Sequence, residues 1–145
     1  MSVPASLDKA QYEALSEFRY QLRRFLHFSE SAARAQGLTP LQYLLMLHIR
    51  GFAGREWATV GELAERLQMQ HHAVVALVSR SEENGLVYRQ RSTADRRQVE
   101  VRLTAAGAEQ LAHLAALHEA ELRSLQGTFQ VAHITAFNDA PDGSV

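Results

Sequence analysis

Near residue 85 the hydrophobic pattern of this chain changes from a helical period to a strand period, and this change constrains the fold most. Residues 59–62, Thr-Val-Gly-Glu, form a capping box that predicts the start of a short helix. After a brief turn, a second helix is predicted over about 71–84, and Gly85 ends it. Apolar and polar residues then alternate in two short runs, 86–91 and 99–103. The pattern therefore predicts a helix-turn-helix followed directly by a β-hairpin.

Long amphipathic helices are predicted on both sides of this segment. One covers 7–35, where Leu15, Phe18, Leu22 and Phe25 recur at three- and four-residue intervals and so share a face. The other covers 105–127, follows Thr104 as N-cap, and has its apolar positions at Leu111, Leu114, Leu117, Leu122 and Leu125. We therefore expect a mainly α-helical single domain over 1–145 with a small β-hairpin wing, a winged helix-turn-helix between two long helices.

One more helix is predicted between the first long helix and the helix-turn-helix. Thr39-Pro40-Leu41-Gln42 combines an N-cap, a proline at the first helical position and the glutamine of a capping box. We expect the helix to end near Gly51 and to turn one face inward, formed by Leu41, Leu44, Leu45 and His48.

The charge of the chain is small overall but unevenly distributed. A net charge of −1 gives no general reason to expect a nucleic-acid partner. Between 89 and 102, however, five arginines stand against Asp95 and Glu100, which gives this stretch a charge of +3. One explanation is a solvated charged hairpin, and the other is an exposed electrostatic site. Arginines on a narrow hairpin can reach the phosphates and minor groove of double-stranded DNA.

Several function classes lack their chemistry in this sequence. The chain has no cysteine, which excludes disulfides, thiolate zinc sites and thiol redox sensing. It contains no glycine-rich phosphate loop, nucleophile elbow or HExxH motif, so we predict neither an enzyme nor a cofactor. His27/Glu30 and His113/His118 do not supply the ligand cluster that zinc needs, so no metal site is predicted. Without a long apolar run or a signal-peptide core, we expect a cytoplasmic protein and no membrane partner.

The order of elements and several local motifs resemble the MarR-type (multiple antibiotic resistance regulator) family of winged helix-turn-helix transcription regulators. The similarity covers about residues 8–127 and rests on LTPLQYLLML (38–47), TVGELAERLQM (59–69) and RSEENGLVYR (80–89). Its most specific part is DRRQVEVRLTAAG (95–107), which is similar to the wing signature of that family, an Asp-x-Arg followed by Leu-Thr.

The resemblance implies a homodimer that binds a palindromic operator in double-stranded DNA. Residues 7–35 and 105–135 would be the N- and C-terminal dimerisation helices, and 38–104 the winged helix-turn-helix DNA-binding part. The helix from His71 would be the recognition helix, Arg97 would enter the minor groove, and Asp95 would hold the wing turn. The expected DNA-binding residues are Gln70, His71, His72, Ser79, Arg80, Arg89, Arg91, Asp95, Arg96 and Arg97. For Arg80 and Arg89 we expect contacts to phosphates or to Glu82 and Glu83 rather than to bases.

Members of that family often bind small aromatic acids or phenols, which implies a repressor released by an aromatic or anionic ligand. The expected ligand-binding residues are Tyr20, Arg23, Arg24, His27 and Tyr43, although packing and ion pairs between helices also explain them. The alternative function is a winged-helix protein-interaction module or ligand sensor that does not bind DNA directly.

Two positions depart from the pattern of the family. Ser81 stands on the inward stripe of the recognition helix, where the family usually has leucine, so we expect a looser helix or a hydrogen-bonded hydroxyl. The residues after Thr128 show no clear amphipathic helix pattern.

Overall fold

The computed structural model describes residues 6–124 of the 145-residue chain and groups them into two compact units. The central unit is Glu30–Leu117, and the terminal unit contains the described residues up to Ser29 together with those from His118. The helices are α1 (Lys9–Ala35), α2 (Pro40–Arg50), α3 (Val60–Leu67), α4 (His71–Glu83) and α5 (Ala105–Ser124), and the strands are β1 (Trp57–Ala58), β2 (Val87–Arg91) and β3 (Val99–Leu103). The expected mainly helical fold with a β-hairpin wing is confirmed.

Local capping determines where the first two helices of the central unit begin. The Thr39 hydroxyl accepts a hydrogen bond from the Gln42 amide, and the Gln42 side chain accepts one from the Thr39 amide, both at 3.1 Å. Thr59 and Glu62 repeat the same exchange at the start of α3, with distances of 3.2 and 2.9 Å. Both predicted capping boxes are therefore present, and α2 and α3 start where the sequence predicts.

A small antiparallel sheet supports the wing, with strand order β1-β3-β2. The hairpin pairs Val87 with Leu103 at its base and Arg91 with Val99 towards its tip. β1 has two residues, paired with β3, and was not predicted because two residues are too short to show an alternating pattern.

The core of the central unit corrects the predicted orientation of α2. Leu45 is buried as expected, but Leu41 and Leu44 are exposed and His48 is half-buried. The buried face also contains Gln42, Tyr43, Met46 and Ile49. Because apolar residues occur all around this helix, periodicity could not determine which stripe packs inward, and the wider Leu45/Met46/Ile49 surface does so.

Ser81 is completely buried beside the other inward residues of α4, which are Val74, Leu77 and Val78. Within the described residues its hydroxyl has no hydrogen-bond partner, so the expected bond does not form. Nor does the helix break there, because α4 continues to Glu83.

In the terminal unit, α5 contributes a buried histidine, His118, which contacts side chains of α1. The imidazole of His118 lies 2.6 Å from the Ser29 hydroxyl and makes edge contacts with the rings of Phe25 and Phe28. Within residues 6–124, none of the helices combines the length and the apolar character needed to span a bilayer.

Candidate nucleic-acid interface

The outer surface of α4 is exposed along its whole length. Gln70 precedes the helix in an extended conformation, and its side chain makes no capping hydrogen bond. The exposed residues that follow are His71, His72, Val75, Ala76, Arg80, Glu82 and Glu83, with Ser79 half-buried beside them. Burial of the opposite stripe holds this row outward, as a helix that enters a DNA groove requires.

A tight turn connects α3 to α4. Gln68 ends α3 in the left-handed conformation, with φ of 52°, and its backbone amide donates to the carbonyls of Ala64 and Glu65. Its side-chain amide also donates to the Glu65 carbonyl at 2.7 Å. These local bonds offset the cost of a left-handed non-glycine residue and set the direction in which α4 leaves the turn.

The wing turn is closed by Ser92, a residue that was not among the predicted site residues. Ser92 is buried at the base of the turn, and its hydroxyl accepts hydrogen bonds from the amides of Ala94 and Asp95, both at 3.2 Å. Its own amide donates to the Gln98 carbonyl at 3.0 Å. A serine two and three residues before the turn amides is a local signal that could have found it.

At the tip of the wing, Asp95 accepts a hydrogen bond from the Arg97 amide at 3.0 Å. The Nε atom of Arg97 is 3.4 Å from the same carboxylate oxygen, but the Arg97 side chain is 92% exposed, so this ion pair is weak. Arg96 is also exposed, and its carbonyl accepts a bond from the Arg91 guanidinium at 2.9 Å. The turn therefore presents two guanidinium groups, those of Arg96 and Arg97, to solvent.

Arg89 differs from the other wing arginines because its guanidinium bonds to α4. It donates to the Ser79 hydroxyl at 3.0 Å, to the Val75 carbonyl at 3.3 Å and to the Glu82 carboxylate at 3.3 Å. The ion pair with Glu82, one of the two expected contacts of Arg89, is present in the structure.

Arg55, which was not among the predicted site residues, lies beside the start of α3. The Arg55 guanidinium lies 4.0 Å from the centre of the Phe52 ring and 3.9 Å from that of Trp57. It also forms an ion pair with Glu62 of the α3 capping box. The Phe-x-x-Arg-x-Trp spacing is a signal that could have identified this stack.

The five candidate ligand-binding residues divide between the two units. Tyr20, Arg23, Arg24 and His27 lie along an exposed face of α1 in the terminal unit, with the Arg24 guanidinium 5.8 Å from the centre of the Tyr20 ring. Tyr43 is buried in the core of the central unit, where burial raises the pKa of its phenol. In residues 6–124, histidine, aspartate and glutamate form no group of three or more that could hold a metal ion.

Comparison with known sequences gives two related matches. The sequence profile of the MarR family matches residues 36–98. The chain is 33% identical over 107 residues to the HTH-type transcriptional repressor MdtR of Bacillus subtilis (strain 168), and the alignment covers 70% of this chain and 67% of that protein.

Solved structures share the fold at lower sequence identity. AbsC, a MarR family transcriptional regulator from Streptomyces coelicolor, matches with a TM-score of 0.72 and 21% identity, over 93% of this chain and 90% of AbsC. A mutant of S. aureus MepR bound to an oligodeoxyribonucleotide matches with a TM-score of 0.63 and 19% identity, over 79% of this chain and 81% of MepR.

Proposed function

Because this chain belongs to the MarR family of transcription regulators, we propose that it is a homodimeric, sequence-specific DNA-binding repressor. Its relative MdtR is named as a repressor, and the MepR mutant is bound to an oligodeoxyribonucleotide. Two copies of α4 in a dimer would meet successive major grooves of a palindrome, with half-sites about 34–36 Å apart.

The observation that carries this proposal is the pairing of an exposed α4 surface with a cationic wing tip. The α4 row offers imidazoles and small apolar groups, which suit base edges and thymine methyls. Arg96 and Arg97 offer exposed positive charge at the end of a narrow hairpin, which suits the minor groove and its phosphates. Base contacts and phosphate contacts thus come from different elements, and substitutions can separate them.

The test uses Arg97→Ala and His72→Ala, after the operator has been selected from a random pool of duplex DNA. Arg97→Ala should weaken binding to most sequences alike, and the slope of log K against log salt should fall by about 0.9 per contact, or about 1.8 per dimer. His72→Ala should instead cost about 1–3 kcal/mol per half-site on the operator and little on random DNA.

Arg123→Ala is the control, because it removes one exposed positive charge from α5, outside the winged helix. It should leave both the salt slope and the sequence preference unchanged. If Arg97→Ala preserves the slope and His72→Ala preserves the preference, the wing and α4 do not bind DNA as proposed. If the wild-type protein binds no duplex at low salt, the protein-interaction or ligand-sensor function replaces this one.

We further propose that a small aromatic or anionic ligand releases the repressor from DNA. The exposed set on α1, with Tyr20 and Arg24 in ring–cation contact and Arg23 and His27 beside them, supports this class of ligand. A panel of aromatic carboxylates and phenols should contain a compound that raises the melting temperature and releases the operator, and Arg24→Ala should weaken its effect. If no compound in the panel does either, a protein partner is the better hypothesis for release.

A further inference from the structure

Arg89 connects the first strand of the wing to three residues of α4. Its amide donates to Glu82 at 2.9 Å, while the guanidinium donates to Glu82 at 3.3 Å, to the Val75 carbonyl at 3.3 Å and to the Ser79 hydroxyl at 3.0 Å. Val75, Ser79 and Glu82 are spaced by four and three residues, so they form one row along two turns of α4. A single side chain of β2 therefore fastens the wing along the recognition helix.

The surroundings of Arg89 are unlike those of the arginines at the tip of the same wing. Its side chain is 29% exposed, whereas that of Arg97 is 92% exposed. The carboxylate of Glu82 offsets its charge at short range, and its guanidinium already has three protein acceptors. A phosphate contact by Arg89 would require breaking these bonds, and each hydrogen bond to a charged group contributes to stability.

We propose that Arg89 is a positioning residue that fixes the angle between the wing and the recognition helix, and that it does not contact phosphate. This inference rests on the proposed DNA-binding function. A guanidinium suits the task because its planar, fixed donors reach a carboxylate, a hydroxyl and a carbonyl together, which the single ammonium of lysine does not.

The same geometry assigns a different role to Ser79. Its hydroxyl accepts a hydrogen bond from Arg89 and is half-buried, so it belongs to the support of the wing. Base contacts by α4 then fall to the exposed row, above all to His72 and Val75.

The experiment measures operator affinity at several salt concentrations for Arg89→Gln, Arg89→Lys, Glu82→Gln and the double variant Glu82→Gln/Arg89→Gln. As a positioning residue, Arg89→Gln should lower operator affinity by about tenfold with an unchanged salt slope, and Arg89→Lys should not restore it. Glu82→Gln should also weaken binding, and the double variant should be no weaker than the worse single variant, because both remove one network.

Glu83→Gln is the matched control for Glu82→Gln, because it removes the same charge from the next exposed position of α4. If Arg89 binds phosphate, both the salt slope of Arg89→Gln and the operator affinity of Glu82→Gln will differ from these expectations. Arg89→Gln would lower the salt slope by about 1.8 per dimer, and Glu82→Gln would tighten binding at least as much as Glu83→Gln does. Either result overturns the proposal.

Two further outcomes separate this inference from the proposed function. If the wild-type protein selects no operator, or if Arg97→Ala leaves the salt slope unchanged and His72→Ala leaves the sequence preference unchanged, the DNA interface itself is wrong. If Arg89→Gln does not fold, Glu82→Gln alone decides, since weaker binding than Glu83→Gln supports the positioning role and equal or tighter binding refutes it. Amide hydrogen exchange of β2 gives a readout without DNA, and it should accelerate in Glu82→Gln but not in Glu83→Gln.

Discussion

Gly107 is a residue whose identity is dictated by one close backbone contact. It lies in the first turn of α5, where its amide donates to the Thr104 hydroxyl at 3.0 Å. Thr104 in turn donates through its amide to the Leu86 carbonyl at 3.0 Å and through its hydroxyl to the Gly85 carbonyl at 2.6 Å. The Leu-Thr-x-x-Gly part of the wing motif therefore fastens α5 to the end of α4, a structural role.

Substitution of Gly107 should destabilise the protein strongly. A Cβ atom at this position would lie 2.1 Å from the Leu86 carbonyl oxygen, so the backbone would have to move. We expect Gly107→Ala to lower the free energy of unfolding by about 1–3 kcal/mol or more, measured by urea denaturation. Gly61→Ala in α3 is the matched control, because a Cβ there meets nothing within 4 Å. It should be neutral or stabilising by up to about 1 kcal/mol, and equal effects of the two substitutions would show that the Leu86 carbonyl does not restrict position 107.

At the scale of an element, the start of α3 combines a capping box with an arginine stack. Burial by itself would raise the pKa of the Glu62 carboxyl, but hydrogen bonds from Thr59 and the charge of Arg55 outweigh it and hold that pKa below its ordinary value. The ionised form of Glu62 therefore stabilises the folded state. Because Arg55 also stacks between Phe52 and Trp57, the same ion pair holds the loop before β1.

This lowered pKa makes the contribution of Glu62 depend on pH. The contribution is complete above the unfolded pKa of about 4.3 and is lost as pH falls through that value towards the lower folded pKa. We expect Glu62→Gln to destabilise the protein by about 1 kcal/mol at pH 7, with a smaller difference from wild type near pH 4. Urea unfolding at both pH values measures the change, and Glu65→Gln at an exposed position of the same helix is the control. A difference for Glu62→Gln that does not change between pH 7 and pH 4 would refute the role of the charge.

At the scale of the whole molecule, exposed leucines on α1 favour the proposed dimer. Leu15 and Leu26 are 42% and 48% exposed, and Phe18, Leu22 and Phe25 of the predicted stripe are half-buried. A second copy of the chain that covers this helix would remove its apolar surface from water. Of the predicted α5 stripe, Leu111 and Leu114 are buried and Leu117 is exposed, whereas the side chains of Leu122 and Leu125 lie outside the described part.

Light scattering at micromolar concentration should therefore give the mass of two chains. Leu15→Arg should shift the protein towards the monomer, because a buried unpaired charge in an interface is costly. Tyr88→Arg, at an exposed position of β2, should leave the mass unchanged. A wild-type monomer with full helicity by circular dichroism would show that α1 does not form a dimer interface.

Features that depend only on residues a few positions apart could be predicted from the sequence alone. Both capping boxes, the glycine after α4 and the alternating strands of the wing depend on neighbours along the chain, so the helix-turn-helix and hairpin followed directly from the sequence. The motifs at 38–47 and 95–107 also identified the family without any knowledge of the fold. The exposure of His72 and Arg97 could also be predicted, because polar and charged residues on the outer side of an amphipathic helix or in a hairpin turn face solvent.

Only the tertiary structure decided how these elements meet. The sequence left open whether Arg89 contacts phosphate or pairs with Glu82 or Glu83, and its bond to the Val75 carbonyl, fourteen residues away along the chain, could not be predicted from any local pattern. The buried face of α2 was chosen by packing, since several of its stripes are apolar. Ser81 is buried without a hydrogen-bond partner in the described part of the chain because the inward geometry of α4 outweighs the polarity of one hydroxyl.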